Sequence, residues 1–291
     1  MKKRVYLLPN MITAFGLCCG LFAIFKINMT PVGEISFEAL RLTTTMLVIA
    51  AFADLLDGAI ARVIKAESSF GGQFDAMADS ITFGVAPSLI VLKTLSIPPG
   101  TEFSYLMTAA AMIYSLCGVL RLVRFTVTSH QTSNDLALKE ASMKHFTGLP
   151  IPAAAAAIIS GNLFLVSDEF KSIFQISAET HAWILFSMML VIGYFMISRW
   201  KFLSLKTLHI KVMTFQQVFL IVVFAVFVVF YGLMQHFSVV FFSISWLYVL
   251  TAWILSIIRL ISGKKCKTLE EFEPDPDEFE VEGLPEDSEK L

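Results

Sequence analysis

The sequence predicts an all-α, polytopic membrane protein, and its composition and hydropathy pattern both indicate that fold class. Hydrophobic residues make up 56% of the 291 positions and charged residues only 16%, against about 25% charged in an ordinary soluble domain. With 15 glycines and 10 prolines, the composition excludes collagen-like and low-complexity disordered chains for most of the length. Apolar stretches near the length needed to cross about 30 Å of hydrocarbon recur along the chain.

These stretches predict eight transmembrane helices. They are expected at about 7–27, 42–62, 74–95, 104–124, 150–166, 181–197, 215–234 and 238–259. An even number of spans puts both termini on one side of the membrane. With both termini inside, 18 Lys and Arg residues lie on the cytoplasmic side and 4 on the other, as the positive-inside rule requires.

Charge is distributed unevenly along the chain. Residues 268–291 hold 11 of the 24 acidic residues but one of the 22 basic residues, which leaves the rest of the chain at +8. The acidic stretch has almost no apolar material to bury and is predicted to be a disordered cytoplasmic tail. The basic excess of the body favours anionic partners such as membrane lipid headgroups or phosphates, and no nucleic-acid partner is predicted.

Four aspartates lie inside predicted helices, where ionisable groups are costly and mark functional sites. Asp54 and Asp57 are three residues apart on the second helix, and Asp75 and Asp79 are four apart on the third. Both spacings place the pair on one helix face. Because the polar connection 65–69 joins the two helices in a hairpin, the four carboxylates should face each other near the inner surface.

Clustered carboxylates indicate a metal site. Four anions repel strongly in a low dielectric, and the single arginine of this cluster, Arg62, cannot neutralise them. Oxygen ligands without Cys or His point to Mg²⁺, Mn²⁺ or Ca²⁺, and four carboxylates are enough for two ions that leave positions for substrate phosphates. Gly58, Ala61 and Gly71 lie on the same helix faces, where small residues would admit a bulky nucleotide, although helix packing alone also favours small residues.

Eight of these positions resemble the complete signature of the CDP-alcohol phosphotransferases. The pattern reads Asp54-x2-Asp57-Gly58-x2-Ala61-Arg62-x8-Gly71-x3-Asp75-x3-Asp79. Members of that family join a CDP-linked lipid to a hydroxyl-bearing acceptor and release CMP, using a core of six transmembrane helices. The resemblance implies that the four aspartates hold two divalent cations, Mg²⁺ or Mn²⁺, with Ca²⁺ as an alternative bound ion. It further implies that Asp79 is the general base for the acceptor hydroxyl, and that the cytidine diphosphate is cradled by Gly58, Ala61, Arg62 and Gly71.

Other segments are similar to one branch of the family, the membrane-embedded phosphatidylserine synthases. They are Tyr-Leu-Leu-Pro-Asn-Met-Ile-Thr at 6–13, Phe-Gly-Val-Ala-Pro at 83–87, Arg-Leu-Val-Arg-Phe at 121–125 and Phe-Thr-Gly-Leu-Pro-Ile-Pro-Ala-Ala at 146–154. This resemblance implies transfer of the phosphatidyl group of CDP-diacylglycerol to L-serine by a homodimer in the inner (cytoplasmic) cell membrane, with the active site facing the cytoplasm. Arg121, Arg124 and Lys144 are candidate contacts for phosphate or the serine carboxylate, although inner-surface basic residues also mark topology.

The same resemblance divides the chain into a six-helix core at 1–211, two additional helices at 212–262 and the acidic tail at 263–291. Three other acceptors, glycerol 3-phosphate, inositol phosphate and choline, stay open as alternatives within the family. An ion-coupled transporter is the alternative from another class, because intramembrane carboxylates also mark ion paths. Transporter sites usually lie near the midplane between two repeats, whereas here all four aspartates fall on one hairpin.

Overall fold

The computed structural model describes residues 7–32, 35–63, 69–95, 97–98, 100–132, 146–198, 201–202 and 235–261. Over these ranges the chain is a bundle of helices with one pair of two-residue strands. The elements are α1 Leu7–Asn28, α2 Phe37–Val63, α3 Ser69–Asp79, α4 Ala86–Thr94, α5 Glu102–Thr132, β1 Phe146–Thr147, α6 Ile151–Val166, α7 Asp168–Ile173, α8 Ala178–Ile197, β2 Lys201–Phe202 and α9 Phe237–Ile261. A π-helical turn, Ser80–Val85, joins α3 to α4 without a break.

The predicted polytopic membrane fold is confirmed. Within the described ranges, six helical spans are long and apolar enough to cross a membrane. Large apolar side chains on them, among them Phe15, Phe25 and Phe52, are more than half exposed, as suits helices whose outer faces contact lipid. The predicted span 215–234 and the acidic tail lie outside the described residues, so the count of eight helices, the domain division and the N-in, C-in orientation stay predictions.

The fifth predicted span is the short helix α6, which lies inside the bundle. Eleven of its 16 residues are buried, and it packs against α2, α4, α8 and α9. Pro150 caps its start, where the absence of a proline N–H costs no helical hydrogen bond. At its other end Ser167 Oγ accepts a hydrogen bond from the Phe170 backbone N–H and so begins α7.

The π-helical turn has a local cause in the sequence. Pro87 has no N–H, so it cannot donate to the carbonyl four residues earlier, at Phe83. That carbonyl instead accepts a hydrogen bond from Tyr114 Oη of α5 at 3.0 Å. The next carbonyl, at Gly84, accepts from Ser115 Oγ at 2.9 Å. Helix α5 therefore holds the irregular turn that immediately follows Asp79.

The segment before α6 is fixed to the end of α8. Gly148 has φ of +81°, and a Cβ there would lie 2.6 Å from the Met196 carbonyl oxygen, so both the backbone conformation and the space require glycine. The next residue, Leu149, donates its N–H to the Phe195 carbonyl at 3.1 Å. Antiparallel pairing of β1 with β2 extends this contact.

Candidate active site

Helix α2 supplies the first two carboxylates, and α1 holds one of them in place. Asp57 is 4% exposed, and its Oδ2 accepts a hydrogen bond from Thr13 Oγ1 at 2.5 Å. Asp54 lies one turn earlier on the same face and is half-buried. Thr13 lies in the segment 6–13, one of the four segments with a family resemblance, yet no residue of α1 was predicted to contact the carboxylates.

Three of the four predicted aspartates come together. Carboxylate oxygens of Asp54, Asp57 and Asp75 all lie within 4.8 Å of one another. Asp79 lies outside this close group, although it lines the same cavity and is within electrostatic range of all three. The structure thus separates Asp79, one helical turn beyond Asp75, from the three carboxylates that converge.

The three converging aspartates fit a divalent cation. Unit charges 4.8 Å apart repel by roughly 3 kcal/mol at an effective dielectric constant near 20. Three such pairs cost roughly 10 kcal/mol, which rivals the whole stability of a domain. In addition, Asp75 Oδ1 is buried and has no hydrogen-bond partner within the described part of the chain. An all-oxygen donor set with an unused buried oxygen suits Mg²⁺, Mn²⁺ or Ca²⁺.

The carboxylates line a small cavity between α1, α2, α3 and the π-helical turn. Its lining residues are Thr13, Gly16, Leu17, Ala50, Asp54, Asp57, Asp75, Ala78, Asp79, Thr82 and Phe83. The free space inside it is about the size of one water molecule. The cavity can therefore take an ion or a small reacting group, and a nucleotide-linked lipid has to bind largely outside it.

The small residues predicted to cradle a nucleotide lie on the two helices that carry the aspartates. At Gly58 an added Cβ would meet nothing within 4 Å, so the protein itself does not demand glycine there. Ala61 and Gly71 are half-buried. Arg62 lies in the last turn of α2, and its side chain lies outside the described atoms.

The predicted anion contacts differ from one another in their surroundings. Arg121 lies within electrostatic range of Asp79, and its buried Nε has no hydrogen-bond partner among the described residues. Arg124 Nη1 donates to the Ile197 carbonyl oxygen at 3.1 Å, at the C-terminus of α8, where a cation is favoured by the helix dipole. Lys144 lies outside the described residues.

Most of the chain is similar in sequence to a known protein family and to named relatives. The sequence model of the family described as CDP-alcohol phosphatidyltransferase matches residues 6–190. A CDP-diacylglycerol–serine O-phosphatidyltransferase of Helicobacter pylori (strain 26695) is 28% identical over 260 residues, which cover 89% of this chain and 96% of that protein. The Bacillus subtilis protein of the same name is 31% identical over 152 residues, covering 52% of this chain and 73% of its own. That of Methanocaldococcus jannaschii is 29% identical over 157 residues, covering 54% and 61%.

Proposed function

Since the chain belongs to the CDP-alcohol phosphatidyltransferase family, we propose that it transfers the phosphatidyl group of CDP-diacylglycerol to the hydroxyl of L-serine and releases CMP. Serine is proposed as the acceptor because the chain is similar to the Helicobacter pylori relative over nearly its whole length. That protein's name specifies CDP-diacylglycerol and serine. The converging carboxylates support the reaction class, because pyrophosphate chemistry needs a site that can concentrate positive charge.

Two divalent cations would be held by Asp54, Asp57, Asp75 and Asp79. The first three of these, whose carboxylates converge, would be the main ligands. Bound there, the ions would neutralise the phosphate oxygens and stabilise the departing CMP. The small residues Gly58, Ala61 and Gly71 would admit the cytidine diphosphate. The fork of Arg62 would pair with its phosphates, which a planar guanidinium suits better than an ammonium.

Asp79 is proposed as the base. A serine hydroxyl is a poor nucleophile near neutral pH, so a carboxylate must take its proton as the oxygen attacks the phosphorus that carries diacylglycerol. The new oxygen–phosphorus bond forms as the bond from that phosphorus to CMP breaks. Asp79 fits this role because it lines the cavity outside the closest group of three. Arg121, in electrostatic range of Asp79, would hold the serine carboxylate.

The acceptor is tested with purified protein, CDP-diacylglycerol vesicles and Mn²⁺ or Mg²⁺. Serine, glycerol 3-phosphate, inositol phosphate and choline are supplied separately, while CMP release and the lipid product are measured. We expect phosphatidylserine and CMP in equal amounts with serine and little product with the others. Efficient transfer to another acceptor, with serine inert, would refute the assignment.

Direct displacement is tested by isotope exchange. If no covalent phosphatidyl-enzyme forms, labelled CMP should not enter CDP-diacylglycerol in the absence of an acceptor. Rapid exchange without serine would instead require an intermediate on the protein. The Asp79→Asn variant should lose turnover, and its metal content has to be measured alongside, because this substitution removes a metal ligand and a base together.

A further inference from the structure

The hydroxyl of Thr82 differs from nearly all other threonine hydroxyls on the membrane-spanning helices. Most of these donate to a backbone carbonyl three or four residues earlier, which is the usual arrangement inside a helix. They are Thr43, Thr45, Thr94, Thr108, Thr126 and Thr251. Thr82 is 2% exposed, yet its Oγ1 has no hydrogen-bond partner within the described ranges. Leaving a buried hydroxyl unpaired is costly, and a hydroxyl in this state that also lines a cavity can be satisfied by a ligand.

Thr82 lies where such a ligand would react. It lines the carboxylate cavity, three residues after Asp79 and inside the π-helical turn, a type of irregularity that is frequent at functional sites. Helix α1 lies close to this side chain, since a Cβ at Gly20 would lie 2.5 Å from Thr82 Oγ1. Glycine at that position leaves the room that the hydroxyl occupies.

The chemistry of the cavity lining limits what the hydroxyl can bind. The lining contains two hydroxyl groups. That of Thr13 donates to Asp57, whereas that of Thr82 has no partner among the residues that the structure describes. Divalent cations prefer the carboxylates beside it. A neutral alcohol, in contrast, needs both an acceptor for its proton and a donor to its oxygen, and Asp79 and Thr82 together provide these.

We propose that Thr82 is an acceptor-binding residue, whose hydroxyl donates to the oxygen of the alcohol that attacks the phosphatidyl group. This inference rests on the proposed function. During the reaction the alcohol proton passes to Asp79, the alcohol oxygen bonds to the phosphorus that carries diacylglycerol, and the bond to CMP breaks. Thr82 keeps its own proton throughout and orients the attacking oxygen.

The test replaces the hydroxyl by a methyl group of similar size. Thr82→Val should lower kcat/KM for the acceptor about tenfold, the scale of one lost hydrogen bond. The KM for CDP-diacylglycerol and the Mn²⁺ concentration for half-activation should stay unchanged, and Thr82→Ser should recover most of the loss. The melting temperature of Thr82→Val should equal or exceed that of the wild type, because an unpaired buried polar group has been removed.

Thr44→Val is the matched control. Thr44 is fully buried on α2, its Oγ1 likewise has no partner among the described residues, and it does not line the cavity. This variant should keep wild-type kinetics. Unchanged acceptor kinetics in Thr82→Val would overturn the proposal, as would an equal loss for CDP-diacylglycerol, Mn²⁺ and the acceptor. The wild-type acceptor panel decides separately whether serine is the substrate, and the Thr82 variants are then assayed with whichever alcohol the wild type uses.

Discussion

Removing the Thr13 hydroxyl should weaken metal binding without unfolding the protein. Thr13 donates to Asp57 at 2.5 Å, and Asp57 is 4% exposed, so little water can replace the lost donor. A hydrogen bond to a charged group contributes about 1.5–3 kcal/mol. Because the bond is made without the metal as well, only part of this free energy appears in the metal affinity, and the expected size is that of losing a group that orients a metal ligand, which is about 10- to 100-fold. We therefore expect Thr13→Val to raise the Mn²⁺ concentration for half-maximal activity by about 10- to 100-fold.

The assay titrates Mn²⁺ against CMP release at saturating CDP-diacylglycerol and serine, and measures Mn²⁺ binding directly by calorimetry. Thr13→Ser keeps the donor and should behave like the wild type. Thr43→Val is the matched control, because Thr43 is fully buried on α2 and its hydroxyl donates to the Leu40 carbonyl at 2.9 Å, within its own helix. An unchanged Mn²⁺ requirement in Thr13→Val, or the same rise in Thr43→Val, would show that the contact with Asp57 does not support a metal ligand.

Three further outcomes are expected. Gly58→Ala adds a Cβ that meets no protein atom within 4 Å, so it should stabilise α2 by about 0.5–1 kcal/mol while raising the KM for CDP-diacylglycerol. Thermal unfolding measures the stability and initial rates measure the KM. An unchanged KM would show that Gly58 does not contact the nucleotide. Arg62→Lys should weaken the use of CDP-diacylglycerol more than that of serine, because lysine lacks the planar fork; an effect confined to the KM for serine would contradict this. Hydrogen bonds, first from its own backbone N–H and also from His236, lower the pKa of Glu169 below its usual value. Stability from this group is therefore present above the usual glutamate pKa and is lost as the pH falls through the folded-state pKa. Glu169→Gln should lower the free energy of unfolding at pH 7 by less than about 1 kcal/mol, because the pair is exposed, with a small fall in melting temperature. The difference between variant and wild type should vanish in acid. A difference that persists or grows in acid would exclude the ionised carboxylate as its cause.

The convergence of the carboxylates could be predicted from local spacing. Asp54 and Asp57 share a helix face by their three-residue spacing, and only five residues separate the end of α2 from the start of α3, which carries Asp75. These relations are local in sequence. The contact of Thr13 with Asp57 is different, because it joins residues 44 positions apart and depends on how α1 packs against α2.

The sequence pattern also did not predict the π-helical turn or the contact of Arg124 with the end of α8. Hydropathy treats 74–95 as one apolar span, and only Pro87 hints that a helical hydrogen bond is missing there. The compensating donors, Tyr114 and Ser115, come from α5 about 30 residues later. Similarly, Arg124 could be assigned to the inner surface from its charge, but its contact with the Ile197 carbonyl depends on the packing of two distant helices.

A count of bound Mn²⁺ by electron paramagnetic resonance in the purified protein tests the metal site most directly. We predict two saturable ions per chain, with affinity lowered at least about tenfold in Asp57→Asn and Asp75→Asn, in parallel with their loss of phosphatidylserine synthesis. Glu179→Gln, which changes a carboxylate at the start of α8 outside the cavity lining, should bind Mn²⁺ like the wild type. Wild-type Mn²⁺ binding in both aspartate variants, or full synthesis of phosphatidylserine in excess chelator, would contradict the assignment of a metal-dependent site to these carboxylates.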